Sequence, residues 1–167
     1  MKRFDQSFEK LFNKPCWGVK RGIGSFMTFE FGEPHLQIKE CIISNKLRRL
    51  AHVRGDWHFW LYCCDWRVLD ESNKVVGDCS SKKGIDRAAR FLNGQSIIAA
   101  KLVPRGMRTY FEFDLGGYLE TNPYNRTFEQ WSLYEPNGKV LTVRADKHYS
   151  YQSGNTPPEK TKWLQIE

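Results

Sequence analysis

Long apolar runs are missing from this sequence. The longest uninterrupted one is six residues, 59–64, far short of the roughly 18 that a membrane-crossing helix needs. The opening MKRFDQSFEKLF has a basic start but no apolar segment, because Asp5, Gln6, Glu9 and Lys10 interrupt it. That excludes a signal-peptide pattern and makes a cytoplasmic protein with no membrane partner the expectation. Metal-ligand spacing is missing as well. The five cysteines, Cys16, Cys41, Cys63, Cys64 and Cys79, are odd in number and contain no CxxC. Adjacent Cys63 and Cys64 point to opposite faces of a strand and cannot bridge each other there, so free buried thiols are expected. There is no phosphate-binding glycine loop; RGIG and LGG stand in strand–turn contexts rather than before a helix.

Acidic charge is in short supply. Twenty-six Lys and Arg oppose 19 Asp and Glu, for a net charge of +7 and a pI of about 9.2. A basic balance suits nucleic acid, anionic lipid or an acidic protein, and does not choose between them. Aromatics are abundant, with 11 Phe, 7 Tyr and 6 Trp, which excludes a disordered chain. At 167 residues the chain fits one domain, 1–167, large enough to bury a core without a metal or disulfide.

Phe4, Phe8, Leu11 and Phe12 recur at helical spacing and Pro15 follows, predicting a short N-terminal helix laid on the core. SFMTFEF alternates like a strand; GEP then reads as a turn, and HLQIK as the returning arm of a hairpin. Residues 43–56 read as a basic connection. GDWHFWLYCCDWRVLD, 55–70, is apolar on both faces and reads as one long central strand covered on both sides, with a turn at 71–73. SSKKGIDRAARFLNG predicts a helix over 80–94, with Ile85, Ala88, Ala89 and Leu92 on its apolar stripe, a serine cap and Gly94 at its end. Strands follow at 96–103, 108–115, 118–122 and 128–134, with turns at 104–106, Gly116–Gly117 and 136–138. Trp163 and Ile166 are the tail residues able to tuck back.

Two stretches echo each other. WRVLDESNKVV (66–76) sets Trp66, Val68, Asp70, Lys74 and Val75 against Trp131, Leu133, Glu135, Lys139 and Val140 of WSLYEPNGKVL (131–141). FEFGEPHL (29–36) likewise sets against FDLGGYL (113–119). The fold class expected is α+β and mainly antiparallel β. Two similar β-meander units, about 16–78 and 95–149, pack as one sandwich or half-barrel, with an N-terminal helix and a linking helix.

The spacing of Leu92, Gly94, Phe111, Phe113, Leu119, Trp131, Leu133, Pro136 and Gly138 resembles a layout of small uncharacterised bacterial β-rich proteins. Some of these are thought to be immunity proteins of polymorphic toxin systems. WGVKRGIGSF, FGEPH and GDWHFWLYCCDW are similar to such proteins too, and together the patterns span most of 16–143. They are turn and core residues, and no catalytic motif comes with them. The resemblance implies a non-enzymatic protein-interaction module, immunity-like in role. An inhibitor of a basic nuclease would be acidic; this chain is basic, which turns the expected partner toward an acidic protein.

The chemistry-bearing residues give little support to catalysis. His58 and Cys64 on one regular strand would stand roughly 20 Å apart, too far to share an ion. Cys63 and Cys64 lie in the most apolar stretch, where a thiol acts as a small hydrophobe. Carboxylate chemistry would need Glu30, Glu33 and His35, or Glu112 and Asp114, in a cleft; Glu30 is expected to be solvated. No catalytic residue, metal ligand or cofactor is therefore assigned, and an unrecognised hydrolase ranks third. The expected binding residues are Lys46, Arg48, Arg49, His52, Arg54 and His58. As an alternative, this segment with Lys82, Lys83, Arg87 and Arg90 would bind nucleic acid, with Trp57, Phe59 and Trp60 as a stacking platform.

Overall fold

The computed structural model describes residues 2–69 and 74–167. It begins with α1 (Lys2–Phe8), β1 (Cys16–Arg21), β2 (Met27–Phe31), β3 (His35–Ile43), β4 (Lys46–Arg54), β5 (Trp57–Leu61), β6 (Cys64–Leu69) and β7 (Val75–Gly77). The chain continues with α2 (Lys82–Leu92), β8 (Ile97–Val103), β9 (Arg108–Phe113), β10 (Tyr118–Pro123), β11 (Glu129–Tyr134), β12 (Lys139–Arg144), β13 (His148–Ser153) and β14 (Leu164–Gln165). All pairings are antiparallel. A seven-stranded sheet has the order β1-β2-β5-β11-β12-β13-β14, a five-stranded sheet the order β7-β6-β10-β9-β8, and β3-β4 stand apart as a two-stranded ribbon.

Alternation along the strands decides what is buried. Met27, Phe29, Phe31, Phe59, Leu61, Trp131, Leu133, Leu141 and Val143 of the large sheet face Trp66, Val68, Leu102, Phe111, Phe113 and Leu119 of the small one. α1 lies between the sheets rather than over one of them. Phe8 meets Phe59 and Trp131 of the large sheet and Phe111 of the small one, with ring centroids 5.2–5.7 Å apart. Each such ring contributes about 2–3 kcal/mol by leaving water. The helix is shorter than its apolar spacing predicts; Leu11 is buried from the turn that follows it. α2 matches its prediction: Ile85, Ala88, Ala89 and Leu92 are buried, and the Ser81 hydroxyl accepts from the Gly84 N–H at 3.2 Å. At the tail, Ile166 is buried and Arg144 lies over the Trp163 ring.

The Trp66/Trp131 echo in the sequence is an echo in the topology, whereas the FEFGEPHL/FDLGGYL echo is shifted by two: Phe29 and Phe31 correspond to Phe111 and Phe113, and the returning strand is β5. Each half runs helix, three-stranded meander, then hairpin: α1, β1-β2-β5, β6-β7; then α2, β8-β9-β10, β11-β12. Registers match. Phe29 pairs Phe59 as Phe111 pairs Leu119; Cys16 pairs Phe31 as Ile97 pairs Phe113. Val68 pairs Val76 as Leu133 pairs Leu141. After each helix a residue with φ near the left-handed region, Asn13 (63°) or Gly94 (94°), donates to the other half: Asn13 N–H to Ile97 O at 3.1 Å, Gly94 N–H to Cys16 O at 2.8 Å. The expected linking helix is thus also the opening element of the second half. The halves exchange strands, because β5 pairs with β11 and β6 with β10. Each sheet joins one half's meander to the other half's hairpin.

Three sequence readings change. Residues 57–69 are not one central strand: β5 belongs to the large sheet and β6 to the small one. The chain steps between them at Tyr62–Cys63, whose N–H groups donate to Gln130 O and Glu129 O. Inward positions switch there from odd (Phe59, Leu61) to even (Cys64, Trp66, Val68), and this change of phase is what looked like two apolar faces. β2 and β3 form no hairpin; β2 pairs β1 and β5, while β3 pairs β4. The basic connection is mostly a strand, β4. The turn expected at 71–73 lies outside the described residues.

Candidate functional site

The ribbon has nine residues in each strand, about 30 Å of length, and nearly every side chain on it is exposed. Ser44 and Asn45 join the strands with φ of 51° and 59°, the two positive values that a tight two-residue hairpin loop requires. Residues paired across the strands share a face. Leu36–Val53, Ile38–Ala51 and Ile42–Leu47 make one face aliphatic, interrupted by an ion pair of 2.9 Å between Arg49 Nε and Glu40 Oε1. Ile42 is 76% exposed and Leu36 64%. The opposite face carries His35, Gln37, Lys39, Cys41, Ile43, Lys46, Arg48, Leu50, His52 and Arg54, with no carboxylate among them.

A buried carboxylate fixes the root of the ribbon. Glu30, on the outer face of β2, is 1% exposed, contrary to the expectation that it is solvated. Its Oε2 accepts from the Gly55 N–H at 3.1 Å, and its Oε1 from Arg54 Nη1 and His58 Nδ1, both at 2.9 Å. A carboxylate only accepts, so Nδ1 of His58 carries the proton. Arg54 Nη1 stands 2.9 and 3.2 Å from the two ring nitrogens of His58, against the ring. Burial pushes the Glu30 carboxyl up, but His58, the Gly55 N–H and Arg54 together outweigh it and hold it below its usual range. Asp56 Oδ2 accepts from the Glu33 N–H at 3.0 Å, and the Trp17 indole donates to Gly32 O at 2.9 Å. At Gly55 a side chain would strike the Phe31 backbone, so only glycine fits where the strands meet at the root.

The six expected binding residues therefore separate. Lys46, Arg48, His52 and Arg54 share the basic face. Arg49 points from the aliphatic face and is tied to Glu40, and His58 sits on β5 at the root. Phe59 is buried in the core and Trp60 packs among Phe26 and Tyr62, so Trp57, Phe59 and Trp60 form no joint stacking platform. α2 packs chiefly against β1 and β7 rather than against the ribbon. The sequence places Glu30 in solvent rather than at the buried root, and the aliphatic face goes unassigned there. The signal for the face was present, since Leu36, Ile38 and Ile42 alternate opposite Leu47 and Val53 once Ser44–Asn45 is taken as the turn.

The arrangement offers little for catalysis. Glu33, His35, Glu112 and Asp114 are exposed, and Asp114 Oδ1 accepts from the Ser96 N–H. Among the described residues no group of three His, Cys, Asp or Glu could hold a metal ion. Burial pushes the Cys16 thiol up to about 12 and raises Cys64 and Cys63 as well; a hydrogen bond to Asp78 raises Cys79. Cys16 and Cys64 are buried as expected, Cys41 and Cys63 only partly, and Cys79 is exposed. Among the described residues no helix is long and apolar enough to cross a membrane. Comparison with family models, with curated proteins and with solved structures finds no match.

Proposed function

We propose that this chain is a non-enzymatic, cytoplasmic protein-interaction module that binds an acidic protein through the β3–β4 ribbon, in an immunity-like role. One observation carries the reading. The ribbon interrupts the first meander between β2 and β5, where the second half closes the matching meander, between β9 and β10, with the short turn at Gly116–Gly117. The second half closes the same meander without an insertion, whereas the insertion presents Lys39, Lys46, Arg48 and His52 on a face that carries no acid, with Arg54 alone paired, to Glu30 at the root. Exposed charge of one sign on a projecting element raises the encounter rate with an opposite surface.

The test uses a photo-crosslinking residue at Gln37, on the basic face, in the native host. Crosslinks to one acidic protein, lost in Lys46→Glu/Arg48→Glu, are the expected result. Binding of oligonucleotides with affinity falling steeply with salt, and no protein crosslink, would replace it with the nucleic-acid reading.

A further inference from the structure

The ribbon shows a partner two different chemistries on its opposite faces. A flat surface laid against either face meets only one of them. A strand running alongside the ribbon, in its plane, meets both, because successive side chains of a strand emerge on alternate faces. Both outer edges of the ribbon are open: β3 pairs only with β4 among the described strands, and β4 only with β3. On an antiparallel pair, alternate residues of each outer edge direct N–H and C=O groups away from the pair, ready to template another strand.

The two edges differ in charge. Along β4 the basic face presents Lys46, Arg48, His52 and Arg54, whereas along β3 its one full cation is Lys39. The aliphatic side of β4 offers Leu47, Ala51 and Val53, with Arg49 already held by Glu40. Arg54 is likewise held, by Glu30 at the root. Lys46 and Arg48 toward the tip, and His52 nearer the root, therefore remain for a new strand.

We propose that the ribbon binds its partner by strand addition to the open edge of β4, and that the segment captured is extended, with alternating aliphatic and acidic side chains. Its aliphatic residues continue the row of Leu47, Ala51 and Val53. Its carboxylates lie beside Lys46, Arg48 and His52. Main-chain hydrogen bonds supply affinity, and the two-faced pattern supplies selectivity. This rests on the reading of the chain as a module for an acidic protein and names the part of that protein that is held.

The probe is a capped octapeptide of alternating valine and glutamate, added to the full-length protein. Its controls are a block isomer with four valines before four glutamates, octaglutamate, and the alternating peptide N-methylated on one edge. The alternating peptide is expected to bind at least tenfold more tightly than each control. It should slow amide exchange at alternate residues of β4 and not of β3, and lose its advantage in Lys46→Glu/Arg48→Glu. Equal binding of the alternating and block peptides overturns strand addition and leaves acidic-protein binding standing on charge alone. Protection along β3 overturns the choice of edge. No binding by any acidic peptide, with salt-sensitive binding of an oligonucleotide, overturns both readings.

Discussion

Glu30 is the residue on which the root of the ribbon depends. Its ion pair with Arg54, its bond from His58 and its bond from the Gly55 N–H exist only because residues 24–28 positions later fold back onto β2. Removing one partner of a buried pair leaves the rest uncompensated. Glu30→Gln is expected to cost about 2–3 kcal/mol in denaturant unfolding and to speed amide exchange at residues 53–56. The pH dependence has a definite sign. The carboxyl is lower in the folded chain than its ordinary 4.5, so its contribution is complete above that value and is lost as pH falls through the folded one. Glu135 acts alike: burial raises it, but bonds from Ser7 and Tyr151 and the charge of Lys10 hold it low. The thermal midpoint should therefore be flat near neutrality and fall below about pH 4.5, with a shallower fall in Glu30→Gln. Gln130 is the converse case. It is wholly buried at the β11 bulge, and neither amide atom has a partner among the described residues. Gln130→Met is expected to stabilise by about 1 kcal/mol in the same titration.

At the scale of elements, legibility followed the range of the interactions that define each one. α2 is legible almost to its ends because its stripe, its Ser81 cap and Gly94 are all local. The Gly116–Gly117 hairpin is legible for the same reason. The segment 55–70 reads as one strand because composition does not reveal which sheet a strand joins; only the change from odd to even inward positions at Tyr62–Cys63 marks the crossing. β4 reads as a connection because its cations hide a plain alternation. Of the candidate site, the four basic-face residues are legible, while Arg49's tie to Glu40, the burial of Glu30 and the partial burial of His58 depend on register and on long-range return. The ribbon as an insertion makes its own prediction. Replacing residues 32–57 by the Asp-Leu-Gly-Gly turn of 114–117 restores the spacing of the second half. The variant should unfold cooperatively, with a thermal midpoint within about 10 °C of the parent. A variant lacking strand circular dichroism would show the ribbon to be part of the fold.

At the scale of the molecule, the exchange of strands binds the two halves into one cooperative unit. Apart from the β3–β4 ribbon, neither half holds a sheet of its own. The first contributes β1, β2 and β5 to the large sheet and β6 and β7 to the small one, and the second supplies the complement. The junctions are long: Trp131 to Tyr134 pair residue by residue with Leu61 to His58, and Tyr118 to Pro123 with Leu69 to Cys64. The core is shared in the same way, since the Trp131 indole of the large sheet donates to Thr109 Oγ1 of the small one at 3.0 Å, and Phe8 touches both. A half alone would expose a hairpin edge and the aromatic inner faces of two incomplete sheets. Cutting the chain between Asp78 and Cys79, after β7 and before α2, separates the halves without breaking a strand. Fragments 1–78 and 79–167 are each expected to lack a cooperative thermal transition and to aggregate. Refolded together they should form a 1:1 complex with the tryptophan emission of the intact chain. A cooperative transition in fragment 79–167 alone would contradict this, because that half would then be closing its own core, with β10 and β11 finding partners other than β6 and β5.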